Sequence, residues 1–417
     1  MNARLTGALM GVGALGLLVT PGAAFAQDAG TTPSCNDATM FPNPIYLSGS
    51  TAFEPAAQAM AVQLNNRTAG VGKVTLIYQQ GSGSCQGVAA VRDQSNLTGT
   101  AHYYTGPGPT GVQSCTLDTA PPKADVGISD VFYETCGVGP RPSSVADYSG
   151  PAQAMLFVVP TGATGAPASI TAEEAQNVWG CGMRGMIAPW LVESAIQQRS
   201  ATSGTQNVIA RSINVLASSF HGTPNATGGN LVTTLTGMNP MVTIADPNTA
   251  IGFLAADAFD TQRSKMKALA FRGLEQTQAY YADSAADTFD KRNVRDGHYL
   301  AWGYEHLIVK LDATTGKATS QAAQNFVDWV MNNTTTAENA PNFDPVLVQA
   351  AAHVIPTCAM KVQRNSDGGL LSAYAAADPC GCAFEATATM STPSGCLACT
   401  DDNGCSGGTH CHHGYCE

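Results

Sequence analysis

The sequence predicts an α/β protein with mixed sheets, followed by a small disulfide-rich C-terminal tail. Three observations carry that expectation. Short apolar, β-branched runs alternate with helix-period segments along most of the 417 residues. Gly, Ser and Thr gather at the junctions, where a strand must turn into a helix. From about residue 386 the composition changes, and the chain closes on "CSGGTHCHHGYCE", a stretch too short and too polar to bury a core.

The first 26 residues read as a secretory signal peptide rather than fold. Arg4 precedes an apolar run through Leu18, and Ala24-Phe25-Ala26 gives the small-x-small ending expected before a cut at Gln27. No cysteine follows that cut, so a lipid-anchored terminus is not expected, and no later apolar run is long enough to span a bilayer. A periplasmic or secreted protein is expected. In that compartment 13 cysteines read as disulfides, and the odd number leaves at least one outside intramolecular pairs. A net charge of −11 argues against a nucleic-acid partner, and with only 12 % charged residues the surface is neutral and polar.

The elements follow in order. Ile45–Leu47 is a short strand, then Gly49-Ser50-Thr51 turns into a helix with Pro55 in its first turn, where proline is tolerated. Val74–Tyr78 is a second strand, followed by Gly81-Ser82-Gly83-Ser84 and a second helix start. Residues from about Thr98 to Pro122, rich in Gly, Pro and Thr, read as a long surface loop carrying Cys115. "ADVGISDVF" is a third strand ending at Ser129-Asp130, and the apolar run Ala154–Pro160 is placed to cross between lobes. Thr171 and Glu174 have capping-box spacing. Beyond Ser203-Gly204-Thr205, the residues Ile209, Ile213, Leu216 and Phe220 share one helical face, so a helix is predicted through Phe220. "AIGFLAADAF", "LIVKL" and a helix over Phe326–Val330 complete the alternation.

Four of these turns could hold an anion. A helix N-terminus presents unpaired N–H groups and a positive dipole end, and small residues let an oxyanion approach them. Arg199, four residues before Ser203-Gly204-Thr205, is an odd neighbour for a positive helix end unless something negative sits between them.

The set "SGSTAFEP", "GSGSCQGV", "VGISD", "ITAEEAQNVWG", R-x-x-x-S-G-T (Arg199 to Thr205) and "AIGF" resembles, in content and order, the phosphate-binding proteins of ABC transporters. The likeness covers roughly Ile45 to Val330. It implies the two-lobed type II periplasmic-binding-protein fold, with residues 38–153 and 268–380 as lobe I, 155–265 as lobe II and 386–417 as the Cys-rich tail. It implies further that inorganic phosphate contacts Ser50, Thr51, the Ala52 backbone, Ser84 (with Ser82 the alternative), Asp130, Arg199, Ser203, Gly204 and Thr205. Asp130 would accept the proton of monohydrogen phosphate and repel sulfate, which has none to give. Where many members carry an acid two residues after the arginine, this chain has Ala201, so the guanidinium is either freer or held by another acid. Cys85, inside the second anion loop, is expected in a disulfide with Cys115 or Cys136. The resemblance implies a membrane ABC permease as partner, a monomer and no cofactor.

Other readings are weaker. "HCHHGYC" (His410 to Cys416) has ligands for zinc or copper, but cysteines this dense in an exported tail read as disulfides, and no metal is expected. His306, inside an apolar run beside Glu305, reads as a core or hinge residue. G-x-S-x-G, H-E-x-x-H and Walker motifs are absent, so a non-enzyme is expected. The alternatives are an exported phosphate-ester hydrolase on the same scaffold, or a cell-surface binding protein with a different oxyanion or no ligand.

Overall fold

The computed structural model describes residues 32–417 apart from 82, 118–119, 240–243 and 334–339. The signal peptide and Ser82 lie outside the described residues.

Pro44–Gly49 (β1) and Thr75–Gln79 (β2) pair in parallel, and Val126–Ser129 (β5) pairs in parallel on the other side of β1. Between them in sequence come Glu54–Leu64 (α1), Ser84–Asp93 (α2), Gly99–Tyr104 (β3) and Val112–Leu117 (β4). Strand β3 runs antiparallel to β2, and β4 forms the edge. The stretch read as a surface loop is therefore largely a β-hairpin. Five of its eight Gly and Pro residues sit in the 105–111 connection, while Ala101, Tyr104, Cys115 and Leu117 point into the core. Counting turn formers across the whole stretch hid the strands on either side of them.

Val145–Pro160 (β6) organises the rest. Its first part pairs antiparallel with Trp302–Lys310 (β13), from Val145 opposite Lys310 to Ala154 opposite Trp302. From Met155 onward it pairs with Gly252–Ala255 (β10) and with Met266–Ala268 (β11). One strand thus serves two half-sheets, in the order β10-β6-β13-β5-β1-β2-β3-β4, with β11 also on β6.

The second half carries Ser169–Thr171 (β7), Ala172–Cys181 (α3), Gln197–Gln198 (β8), Gly204–Ser212 (α4), Thr223–Pro224 (β9), Gly228–Leu235 (α5), Ala256–Asp260 (α6) and Ala270–Arg272 (β12). The capping box forms: Glu174 N–H donates to Thr171 Oγ1 at 3.1 Å, and Thr171 N–H donates to Glu174 Oε2 at 2.8 Å. Helix α4 is shorter than its apolar spacing predicts. It ends at Ser212; Asn214 adopts a left-handed φ of 55°, which stops the helix, and Leu216 is exposed. Phe220 reaches the core from outside the helix, where it stacks edge-on against Phe253.

Arg292–Arg295 (α7), Gln321–Val330 (α8), Pro345–Ala351 (α9) and Gly381–Thr389 (α10) lead to the tail. Helices α1 and α8 cover one face of β1, burying Phe53, Met60, Phe326 and Trp329, while Val88 and Val91 of α2 bury on the other. The predicted mixed α/β class and disulfide-rich tail both hold. Disulfides join Cys35–Cys115, Cys85–Cys136, Cys358–Cys380, Cys382–Cys396, Cys399–Cys411 and Cys405–Cys416, leaving Cys181 free and exposed. Of the two partners open to Cys85, Cys136 is the one found; Cys115 instead ties the hairpin to the N-terminal segment. The tail's histidines face carboxylates: His410 meets Asp402, His412 meets Asp378, and His413 lies between Asp344 and Asp378. No described helix is long and apolar enough to cross a membrane.

Candidate anion-binding site

The carboxyl ends of β1 and β5 lie side by side, and the chain leaves each at a polar residue: Ser50 after β1, Asp130 after β5. Gly49 makes this approach possible. Its φ is +135°, and a Cβ there would lie 1.9 Å from the Ile128 carbonyl oxygen, while Ser50 N–H donates to that oxygen at 2.9 Å. Ser50 Oγ accepts from Ala52 N–H at 3.1 Å, and the Tyr78 hydroxyl donates to the Ser50 carbonyl.

Helices α2 and α4 point their N-termini at this end of the sheet. Ser84 Oγ, in the first turn of α2, accepts from Asp130 N–H at 3.1 Å. Thr205 Oγ1, in the first turn of α4, donates to Asp130 Oδ2 at 3.1 Å. Gly204 sits between them: a Cβ there would lie 2.3 Å from Ser84 Oγ and 2.7 Å from Asp130 Cβ. Cys85 N–H donates to the Thr202 carbonyl at 3.2 Å, so the two helix starts touch directly. Ser203 caps α4, accepting from Gln206 N–H at 3.4 Å.

Arg199 is 7 % exposed, and its environment is unusual. Its backbone N–H donates to Gln206 Oε1 at 2.8 Å and its Nη2 to the Ala226 carbonyl at 3.3 Å, whereas its Nε has no acceptor among the described residues. Burial lowers its pKa from the usual value, opposed by Asp130 and Asp257. Asp257 on α6 acts on this guanidinium only through its charge, and no carboxylate among the described residues pairs with it directly.

A cavity of about 500 Å³ opens here. Thr51, Ala52, Arg199 and Thr205 line it, together with Asp257, Thr227, Gly228 and Gly229. Glu54, Gln58, Gln80 and His102 border its outer side, and Glu54 accepts from His102 at 2.6 Å and from Tyr104 at 3.0 Å. Of the residues named from sequence, Ser50, Ser84, Asp130, Ser203 and Gly204 are not among those lining it, and all five are buried next to residues that do. Another cavity of about 530 Å³, near Thr161 and Thr236, is lined by no buried charged side chain.

The buried acids at this end of the sheet share one electrostatic condition. Burial raises the Asp130 carboxyl above its ordinary pKa, with Ser50, Arg199, Thr205 and Glu305 pulling the other way. Burial pushes Asp257 up to about 8, and Asp130 and Asp260 add to it, although Gln153 Nε2 donates to its Oδ1 at 3.1 Å. Glu305 on β13 is fully buried and held well above the carboxylate range by burial, then by Asp130 and Asp257.

Sequence reasoning missed three parts of this site. Asp257 lies in a stretch read only as strand and helix. Glu305 was passed over beside His306. Thr227-Gly228-Gly229 carries the same cap-plus-glycine signal as the other turns: Thr227 Oγ1 accepts from Asn230 N–H at 3.1 Å, and α5 starts at Gly228.

No family model matches the sequence, and no curated protein does. Solved structures are similar at low identity. A protein described as a phosphate ABC transporter substrate-binding protein from Clostridium perfringens, with bound phosphate, is 13 % identical, with 76 % of this chain and 100 % of that chain covered at a TM-score of 0.48. An ABC-type phosphate transport receptor from Vibrio cholerae is 14 % identical, with 75 % and 99 % covered at a TM-score of 0.43. The reduced OxyR regulatory domain from Pseudomonas aeruginosa is 8 % identical, with 65 % and 90 % covered at a TM-score of 0.34.

Proposed function

We propose that the chain is an exported solute-binding protein that captures inorganic phosphate in this cleft and passes it to a membrane ABC permease. The observation that carries the reading is Arg199: a buried guanidinium with an unsatisfied Nε, on a cavity wall that also holds Thr51, Ala52 and the α4 terminus at Thr205. Hydrogen bonds to a charged group contribute about 1.5–3 kcal/mol each, so several donors hold a dehydrated dianion without an excess of positive charge. First-turn N–H groups of α4 and α5, which have no acceptor within their helices, add to the Arg199 and Thr51 donors. Ser50, Ser84 and Asp130 fix the geometry from behind. The lobes are residues 38–153 with 268–380, and residues 155–265; the change of partners in β6 between Ala154 and Met155 supports that division.

Titration calorimetry on ligand-stripped protein tests the reading. Phosphate should give saturable heat, and Arg199→Met should weaken its binding at least about 100-fold, the effect of removing a buried charged donor. Absence of heat with phosphate, arsenate and sulfate alike would overturn it.

A further inference from the structure

More acid gathers at this end of the sheet than an anion site needs. Asp130, Asp257 and Glu305 are 1 %, 7 % and 0 % exposed. Ionised together, three carboxylates against one guanidinium carry a net −2 (−3 + 1), and a dianion would raise that to −4. Like charges this deeply buried repel one another far more strongly than they would in water. Such a cluster keeps some of its protons.

Geometry says where. Neither Glu305 oxygen nor Asp130 Oδ1 has a donor among the described residues, yet the two carboxyl groups lie within hydrogen-bonding reach of each other. Two carboxyl groups facing one another need a proton between them. Glu305 is aimed there by an irregularity in β13: the register with β6 shifts between Tyr304 and His306, opposite Gly150. Glu305 faces Asp130 at the end of β5, Asp257 on α6 and the Tyr78 phenol on β2. Asp257 faces Asp130, Arg199, Gln153 of β6 and, along its own helix, Asp260. Asp130 faces Ser50, Arg199, Thr205 and Glu305. Only Asp257 among the three acids lies on the cavity wall.

The geometry points to capture of the anion together with a proton: Asp130 and Glu305 share one throughout, and Asp257 must carry another before the anion can seat. This rests on the phosphate reading and adds a proton as the second ligand of that site. It moves the proton-sensing role from Asp130 to Asp257. Near neutral pH Asp257 already holds its proton and takes up little, while seating the dianion releases the second proton of that part of the free phosphate still present as monoanion. Above its titration near 8, a proton from solvent must enter with each anion. Affinity then falls as pH rises, in a range where phosphate is already mostly dianionic.

The test is calorimetry with inorganic phosphate from about pH 7 to about pH 9.5, in buffers of different ionisation enthalpy. The expected result is proton uptake rising toward one per anion, and affinity falling about tenfold per pH unit above about pH 8. Asp257→Asn should abolish that slope. Phosphate heat with no pH slope, or with the same slope in Asp257→Asn, overturns proton coupling and leaves the phosphate reading standing. No heat at any pH overturns both. Infrared spectroscopy of the phosphate-free protein reads the protons directly: a neutral-carboxyl C=O band near pH 7 that weakens in Glu305→Gln supports the proposal. Absence of any such band overturns it without recourse to a variant.

Discussion

Asp257 and Asp260 lie three residues apart on one short helix, both buried, and their carboxyl groups behave in opposite ways. Burial alone would raise both. Asp260 meets Arg263 at 2.6 Å, Lys291 at 2.8 Å and His353 at 3.1 Å, and Asp283 joins the same cations, so Asp260 is held well below the usual carboxylate range. Asp257 has Gln153, the distant influence of Arg199 and two further acids, and sits near 8. The lesson is that partner count, not depth, separates a structural acid from one left open to a ligand. The Asp260 cluster is complete as it stands. The Asp257 cluster needs protons or further donors to settle its charge.

Three experiments sharpen that contrast, in decreasing order of effect. Lys291→Met leaves Asp260 and Asp283 with Arg263 and His353 alone, and should destabilise the fold by about 3–5 kcal/mol, the loss for breaking a buried ion pair. Urea unfolding measures it; a loss under about 1 kcal/mol would mean the cluster is not structural. Next, Asp257 makes stability depend on pH. Its folded pKa of about 8 exceeds its unfolded value of about 3.9, so the unfolded chain gives up the proton first. Its contribution to stability is therefore greatest below about pH 4, falls as pH rises and levels above about pH 8. Relative to Asp257→Asn, the native protein should lose on the order of 2 kcal/mol between about pH 5 and about pH 7. Parallel curves for the two proteins would remove Asp257 from the account. The smallest effect is expected from Thr205→Val, which deletes a donor to Asp130 and should cost about 1 kcal/mol. No change in the unfolding midpoint would show that Asp130 does not depend on that hydroxyl.

The fold class was legible because strand runs, capping residues and glycine turns agree in one order along the chain. Arg199 and Thr205 were legible for the same reason: an arginine beside a positive helix end asks for an anion. The hairpin was not, since its turn residues outnumber its core residues. Helix α4 was overextended because Leu216 fits the apolar spacing, while the left-handed Asn214 that ends the helix leaves little mark on the pattern. Asp257 and Glu305 were hidden for a deeper reason. A carboxylate's role depends on which cations reach it, and that is fixed by packing between segments far apart in sequence. Asp130 shows the same dependence on packing: the turn that carries it could be read from sequence, but its contacts with Thr205 and Glu305 could not.

Gly204 has a practical consequence. Because the start of α4 at Gly204 lies too close to Ser84 and Asp130 to admit a methyl group, the residue works as a gauge of the gap between them. A single added methyl is a shim. Gly204→Ala forces Ser84 and Asp130 away from α4 at one point while leaving every hydrogen-bonding side chain in the chain unchanged. That offers a way to wedge the cleft apart and study its empty form without altering the charges that give it its chemistry.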